Sequence, residues 1–313
     1  MIKPALVVHA DWSIHEQKRW LCMATLIEDG QYVVQMPRPV GDIHTLLPRL
    51  KEKARGPFFL GVDFPLGLPL AYARQVGVTD FVALLPQLGR GKWGPFYEVA
   101  ERKEEIGLYR PFYPFRPGGT SQAHLLEGLN VSHVNALRRR CDRARPGRKA
   151  AAPLFWTLGA QQVGKAAIVG WRDMLAPAHC DPRLDMALWP FSGKLAALLE
   201  TRQIVVAETY PAECYLHLNI AFGPQQSKYR REDRAEKGKQ LVSWAAKHTL
   251  LLSAALTTAL QDGFATSKEG DDLFDAVAGL LGMINVLQGG RPAGEPADPE
   301  VRLTEGWILG QVE

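Results

Sequence analysis

Three strand-like runs each end in an acid: Val7-Val8-His9-Ala10-Asp11, Leu60-Gly61-Val62-Asp63 and Val205-Val206-Ala207-Glu208. In an open α/β sheet, ligands bind beyond the carboxyl ends of the strands, so acids placed there are expected to converge on one crevice. A fourth contribution comes from Asp271, Asp272 and Asp275. Residues three and four apart share a helix face, which lets Asp275 stand beside Asp271 or Asp272. That face continues through Ala278, Gly279 and Gly282, small enough for a helix to lie close on a sheet. Carboxylates gathered in this way repel one another and cannot all ionise without a cation. Hard oxygen ligands suit Mg²⁺ or Mn²⁺, and two such ions activate water and stabilise the leaving oxygen of a phosphodiester. Asp11, Asp63, Glu208 and Asp275 are therefore the expected catalytic metal ligands, with Asp272 as a further one. Singly, these acids have plainer readings: Asp11 and Asp63 as turn residues, Asp271 or Asp272 as a helix N-cap. Asp275 is harder to dismiss, because an acid one turn inside an apolar helix needs a partner.

Residues 138–149 read RRRCDRARPGRK, seven basic residues against one acid. Such a run neutralises phosphates without sequence preference, and a solvated helix end whose cations offset the helix dipole reads the same way. Arg138, Arg139 and Arg140 are its candidates for substrate contact. From Gly89 to Arg116, Lys92, Arg102, Arg110 and Arg116 alternate with tryptophan, tyrosine and phenylalanine. That mixture suits single-strand binding, in which bases stack on rings; the preferred reading is the small core of an insertion. Gly159 to Ala166 matches GxxxxGK, but alanine stands where a phosphate loop needs Ser or Thr, and no buried strand precedes it. There is no GxSxG, and the histidines are scattered. His9 is read as structural, on the strand face away from Asp11.

The elements that must position these residues follow from periodicity. Ala5–Ala10, Trp20–Ile27 and Tyr32–Met36 read as strands joined by short polar turns, which favours an antiparallel meander. Ile43, Leu46, Leu47 and Leu50 recur at helical spacing over 42–54, with Asp42 as the expected cap. Phe58–Val62 and Ile204–Ala207 are apolar throughout, as buried strands are. An arginine-rich helix over 137–148, a charged amphipathic helix from about Arg230 and a long helix from about Asp271 complete the reading. The expected fold class is α/β, with a core made of residues 1–76 and 200–313. Residues 77–199 form a large, mostly helical insertion between the fourth and fifth strands.

The stretches GVDFPLGLP (61–69), AETYPAE (207–213), DDLFDAVAGL (271–280) and EGWILG (305–310) carry a resemblance over nearly the whole chain. They resemble an uncharacterised bacterial family predicted to be RNase H-like nucleases. The acid layout of Asp11, Asp63 and Asp272/Asp275 is similar to the RuvC-like branch of the RNase H-like superfamily. The resemblance implies a mixed five-stranded sheet flanked by helices and a divalent-metal phosphodiesterase site. It also marks Lys165 and Arg172, through a similar QVGKA…GW stretch, as crevice-facing substrate contacts, with a plain helix surface as the alternative. One departure stands out: RNase H enzymes proper place an acid on the first helix, where this chain offers only Asp42 and Glu52.

The leading expectation is thus a nuclease or related phosphodiesterase that uses Mg²⁺ or Mn²⁺ on DNA or RNA. A nucleotide-binding or nucleotide-hydrolysing protein of the related actin and sugar-kinase fold is the alternative, and it would draw on Gly67 for a phosphate loop. A non-catalytic nucleic-acid-binding module is a third reading. Composition narrows the field. A chain of 313 residues with 46% hydrophobic and 22% charged residues is globular rather than disordered. Its net charge of +4 is too mild for a surface basic throughout. The longest apolar runs fall far short of the roughly 20 residues a membrane span needs. Four cysteines without CxxC spacing argue against a zinc site or a disulfide framework, and a reduced cytoplasmic protein is expected.

Overall fold

Eight strands form one mixed sheet: β1 (Leu6–Asp11), β2 (Trp20–Leu26), β3 (Tyr32–Val34), β4 (Arg38–Pro39), β5 (Phe58–Val62), β6 (Met186–Trp189), β7 (Ile204–Glu208) and β8 (Leu250–Leu252). The strand order is β6-β7-β5-β1-β2-β3-β8, with the short β4 also paired to β2. The computed structural model describes residues 2–159, 163–265 and 269–313. β1, β2 and β3 form the antiparallel meander, whereas β5, β6 and β7 run parallel to β1. The turn between β2 and β3 is set by Asp29, whose carboxylate accepts from Gln31 N at 3.0 Å, and by Gly30 at a φ of +79°.

Because side chains alternate along a strand, the sheet sorts its residues onto two faces. Val8, Ala10, Leu60, Val62 and Val206 face the helix Leu46–Ala54 and much of the stretch 64–178. Val7, Phe59, Val205 and Ala207 face the long helix Gly270–Leu287. That helix is apolar nearly all round because the sheet covers one side and the helices Pro211–His217 and Arg231–Lys247 approach the others. Glycine lets it lie close: a Cβ on Gly279 would fall 2.2 Å from His9 Cε1, and one on Gly61 would fall 2.4 Å from Met283 Sδ.

The α/β class and the five strands read in the sequence are present, and the sheet adds three more. β6 comes from within the stretch 77–199 and pairs with β7 along its whole length. The aromatic residues of that stretch are largely interior: Trp93, Phe96, Phe112, Phe155 and Trp171 are buried and meet mostly edge-on. They continue the hydrophobic cluster of Phe58, Leu60 and Val62. Three local expectations give way. Asp42 does not cap a helix but accepts from His44 N, and the helix starts at Leu46. Residues 137–148 form no α-helix, only 3₁₀ turns at Val134–Leu137 and Arg140–Asp142, because Arg139 is drawn inward. His9 lies on the same face as Asp11, as positions two apart on a strand must.

Among the described residues, no helix is long and apolar enough to cross a membrane.

A candidate carboxylate site at the strand ends

Register decides which acids meet. Ala10 pairs with Val62, so Asp11 and Asp63 stand level at the ends of adjacent parallel strands, and Asp63 N donates to Ala10 O at 3.0 Å. Both share the parity of Val7 and Phe59, so both point to the face covered by the long helix. That helix brings Asp275 one turn in from its start, with Asp272 in the first turn. Trp12 and Phe64, each the next residue after a site acid, turn to the other face and touch at 5.0 Å between ring centroids.

The electrostatics record the crowding. Asp11 is almost fully buried, and its carboxyl is held well above the usual range, first by burial and then by the charges of Asp275, Asp63 and Asp272. Burial and the Glu208 charge push Asp63 up to about 7, although Lys228 works in the opposite direction. Asp275 is raised by burial and by Asp63, and Asp272 rises to about 6 through burial and Asp271. Neither Asp11 nor Asp63 accepts a side-chain hydrogen bond among the described residues. Asp275 does: the Tyr215 hydroxyl donates to one oxygen, and the Lys228 ammonium pairs with the other. Lys228 lowers the pKa of Asp11, Asp63 and Asp272 too, and Lys18 adds a second cation near Asp272. The Thr209 hydroxyl, just past β7 on the same face, is buried without a partner among the described residues. Sequence reasoning missed Lys228, Tyr215 and Thr209. Thr209 and Tyr215 sit in and just after AETYPAE, while Lys228 lies in a polar loop with no distinguishing pattern.

Glu208 falls outside this group, a correction to its expected role as a ligand. It pairs with Val62 rather than with the position level with Asp63, so it takes the parity of Ile204 and Val206 and points to the opposite face. There it accepts from Leu66 N at 2.7 Å and from both terminal nitrogens of Arg139, at 2.5 and 2.6 Å. Arg139 is fully buried, and Asp142 holds its Nε and Nη2 at 2.8 and 2.9 Å. This guanidinium is a structural latch rather than a phosphate contact. Glu305, from EGWILG, extends the latch by accepting from Leu70 N and Arg140 N.

The other expected substrate contacts do not join the acids. Arg138 donates to Ala151 O and Asn135, and Arg140 pairs with Asp298 at 2.8 Å. Lys165 lies 3.5 Å from Phe115 O, and Arg172 forms a bidentate pair with its neighbour Asp173. Residues 160–162 of the GxxxxGK match lie outside the described residues. Gly67 has a φ of +113°, and its Cβ position lies 2.2 Å from the Glu305 carbonyl oxygen, so this glycine serves packing of the chain against residue 305.

Crowded carboxylates without donors are the chemistry a hard divalent cation satisfies. Among the described residues, however, no three acidic, histidine or cysteine groups close into a ready cation cage, and Lys228 places a positive charge against Asp275. Compared with known proteins, the chain matches no family profile, no curated protein and no solved structure.

Proposed function

We propose that this chain is a divalent-metal-dependent phosphodiesterase acting on nucleic acid, of the RNase H-like kind its motifs resemble. The observation that carries the reading is the pairing of Asp11 and Asp63. They stand level on neighbouring strands, face the same side, accept no side-chain hydrogen bond among the described residues and feel the charge of Asp275 from the long helix. Five contiguous strands, β7-β5-β1-β2-β3, mixed in direction and covered by helices on both faces, support the RNase H-like arrangement. Asp11, Asp63 and Asp275 would hold Mg²⁺ or Mn²⁺, with Asp272 at the outer edge. The metal supplies an activated water and stabilises the leaving oxygen. Tyr215 fixes the orientation of Asp275, and Lys228 offsets charge that the metal would otherwise carry alone. Burial of the site strengthens each of these interactions by lowering the local dielectric.

The test is cleavage of single-stranded and duplex DNA and RNA with Mn²⁺ by the wild type and by Asp11→Asn. The expected outcome is cleavage of at least one substrate by the wild type, abolished in the variant. Hydrolysis of a free nucleotide with no cleavage of any of the four substrates would replace this reading with the nucleotide-hydrolase alternative.

A further inference from the structure

Next to the carboxylates lies a cleft of about 240 Å³ whose lining includes Arg148, Lys149, Tyr210, Tyr215 and Phe222. Tyr215 forms part of its wall and donates its hydroxyl to Asp275, so cleft and carboxylate site share a side chain. Arg148 lies over the Tyr210 ring, 5.2 Å from Cζ to the centroid. It is 6% exposed, and only one of its nitrogens is hydrogen-bonded: Nη2 donates to Cys141 O at 2.5 Å and to Gln311 at 3.2 Å. Its Nε and Nη1 are buried without a hydrogen-bond acceptor among the described residues. A guanidinium left in this state has lost solvation that its surroundings do not restore.

Charge bookkeeping gives the same answer. Among the described residues, the carboxylate paired with Arg148 is Glu213, itself fully buried, and three guanidiniums share it: Arg145 at 3.2 Å, Arg148 at 3.6 Å and Arg291 at 3.7 Å. Lys149 adds a further cation at the cleft. A single acid cannot neutralise this group, and its surplus positive charge sits beside the carboxylate site. We propose that the cleft binds a phosphate of the nucleic-acid backbone adjacent to the one attacked at the carboxylates. Arg148 and Lys149 are its cationic ligands, and Tyr210 and Phe222 are walls for the attached nucleoside. The assignment rests on the phosphodiesterase reading for what the phosphate belongs to, and on the cleft itself for its binding.

The test is calorimetric titration of the full chain, in EDTA, with thymidine 5′-monophosphate and with thymidine. The monophosphate is expected to bind at least about tenfold more tightly than thymidine, as loss of a charge-assisted contact implies. Lys149→Ala, at an exposed position, and Arg148→Lys, which keeps the charge but not the planar fork, should each weaken monophosphate binding about tenfold. Asp11→Asn should bind it at least as tightly as the wild type. Equal binding of the two ligands, or unchanged monophosphate binding in both cationic variants, overturns the subsite. Because no metal is present, these outcomes are independent of cleavage. Binding without Mn²⁺-dependent cleavage removes the nuclease reading and leaves the anion site, whereas cleavage without binding removes only the anion site.

Discussion

Asp11 and Asp63 are acids whose proton affinity rises on folding, and the sign of the consequence is fixed by linkage. Between the ordinary carboxylate range near 4 and about 7, Asp63 keeps its proton in the folded state while the unfolded chain has released it. The folded state then binds more protons, so stability falls as pH rises through this window and levels off above it. We expect the metal-free melting temperature to decline from about pH 4 to pH 7, and Asp63→Asn to flatten that decline. Thermal scans in EDTA across this range measure it; a flat wild-type profile would mean the carboxyl is not raised. Mg²⁺ or Mn²⁺ binding only the folded state should reverse the loss at pH 7 by mass action, and by much less in Asp11→Asn. Asp275→Asn is a poorer probe of repulsion than Asp11→Asn. It alters an acid already held by Tyr215 and Lys228, whereas the Asp11 carboxylate accepts no hydrogen bond among the described residues.

At the scale of elements, the site depends on how closely the long helix lies on β1. His9 and Gly279 set that approach. Gly279→Ala would push a methyl group into the imidazole, and overpacking of this kind costs about 1–3 kcal/mol. The cost should shrink in a His9→Ala background, because residues in contact are not additive. Urea unfolding of the four proteins in this cycle checks it, and equal costs in both backgrounds would place the clash elsewhere. The imidazole itself is held neutral: burial lowers its pKa to about 3. Much of this arrangement is legible in the sequence. The apolar runs at 58–62 and 204–207 and the small-residue face of the helix announce themselves through composition and period. Register is not legible in the same way. Glu208 ends its strand as Asp63 does, but one step of pairing turns it to the opposite face, and no local pattern encodes that step. β6 and β8 escaped notice because Met186–Trp189 is four residues long and Leu250–Leu252 sits in a leucine-rich run that suits a helix equally well.

At the scale of the molecule, the buried latch of Arg139, Asp142 and Glu208 ties three distant parts of the chain together. Arg139 also donates to Leu66 O at 2.7 Å, so the segments around 66, 140 and 208 share one guanidinium. Removing one member leaves an uncompensated buried charge, which costs about 3–5 kcal/mol. Arg139→Met and Glu208→Gln should therefore lose stability on this scale in denaturant titrations, while Asp11→Asn should not. A Glu208→Gln variant of wild-type stability that fails to cleave would return Glu208 to the proposed site. The basic run that contains Arg139 shows why charge in a sequence is ambiguous: identical neighbours, Arg138 to Arg140, end up half-buried, fully buried and exposed. What separates them is the position of Glu208, far along the chain.

The spread of Asp11, Asp63 and Asp275 over the chain also has a consequence in time. During synthesis, Asp275 leaves the ribosome after Asp63 by roughly 10–40 s, at ordinary rates of elongation. Until the long helix arrives, the face of β1 and β5 that carries both acids lacks its main cover. On the proposed phosphodiesterase reading, a nascent chain would hold Asp11 and Asp63 without Asp275 or the helix that carries it, and would be inert toward the message and ribosomal RNA beside which it is made.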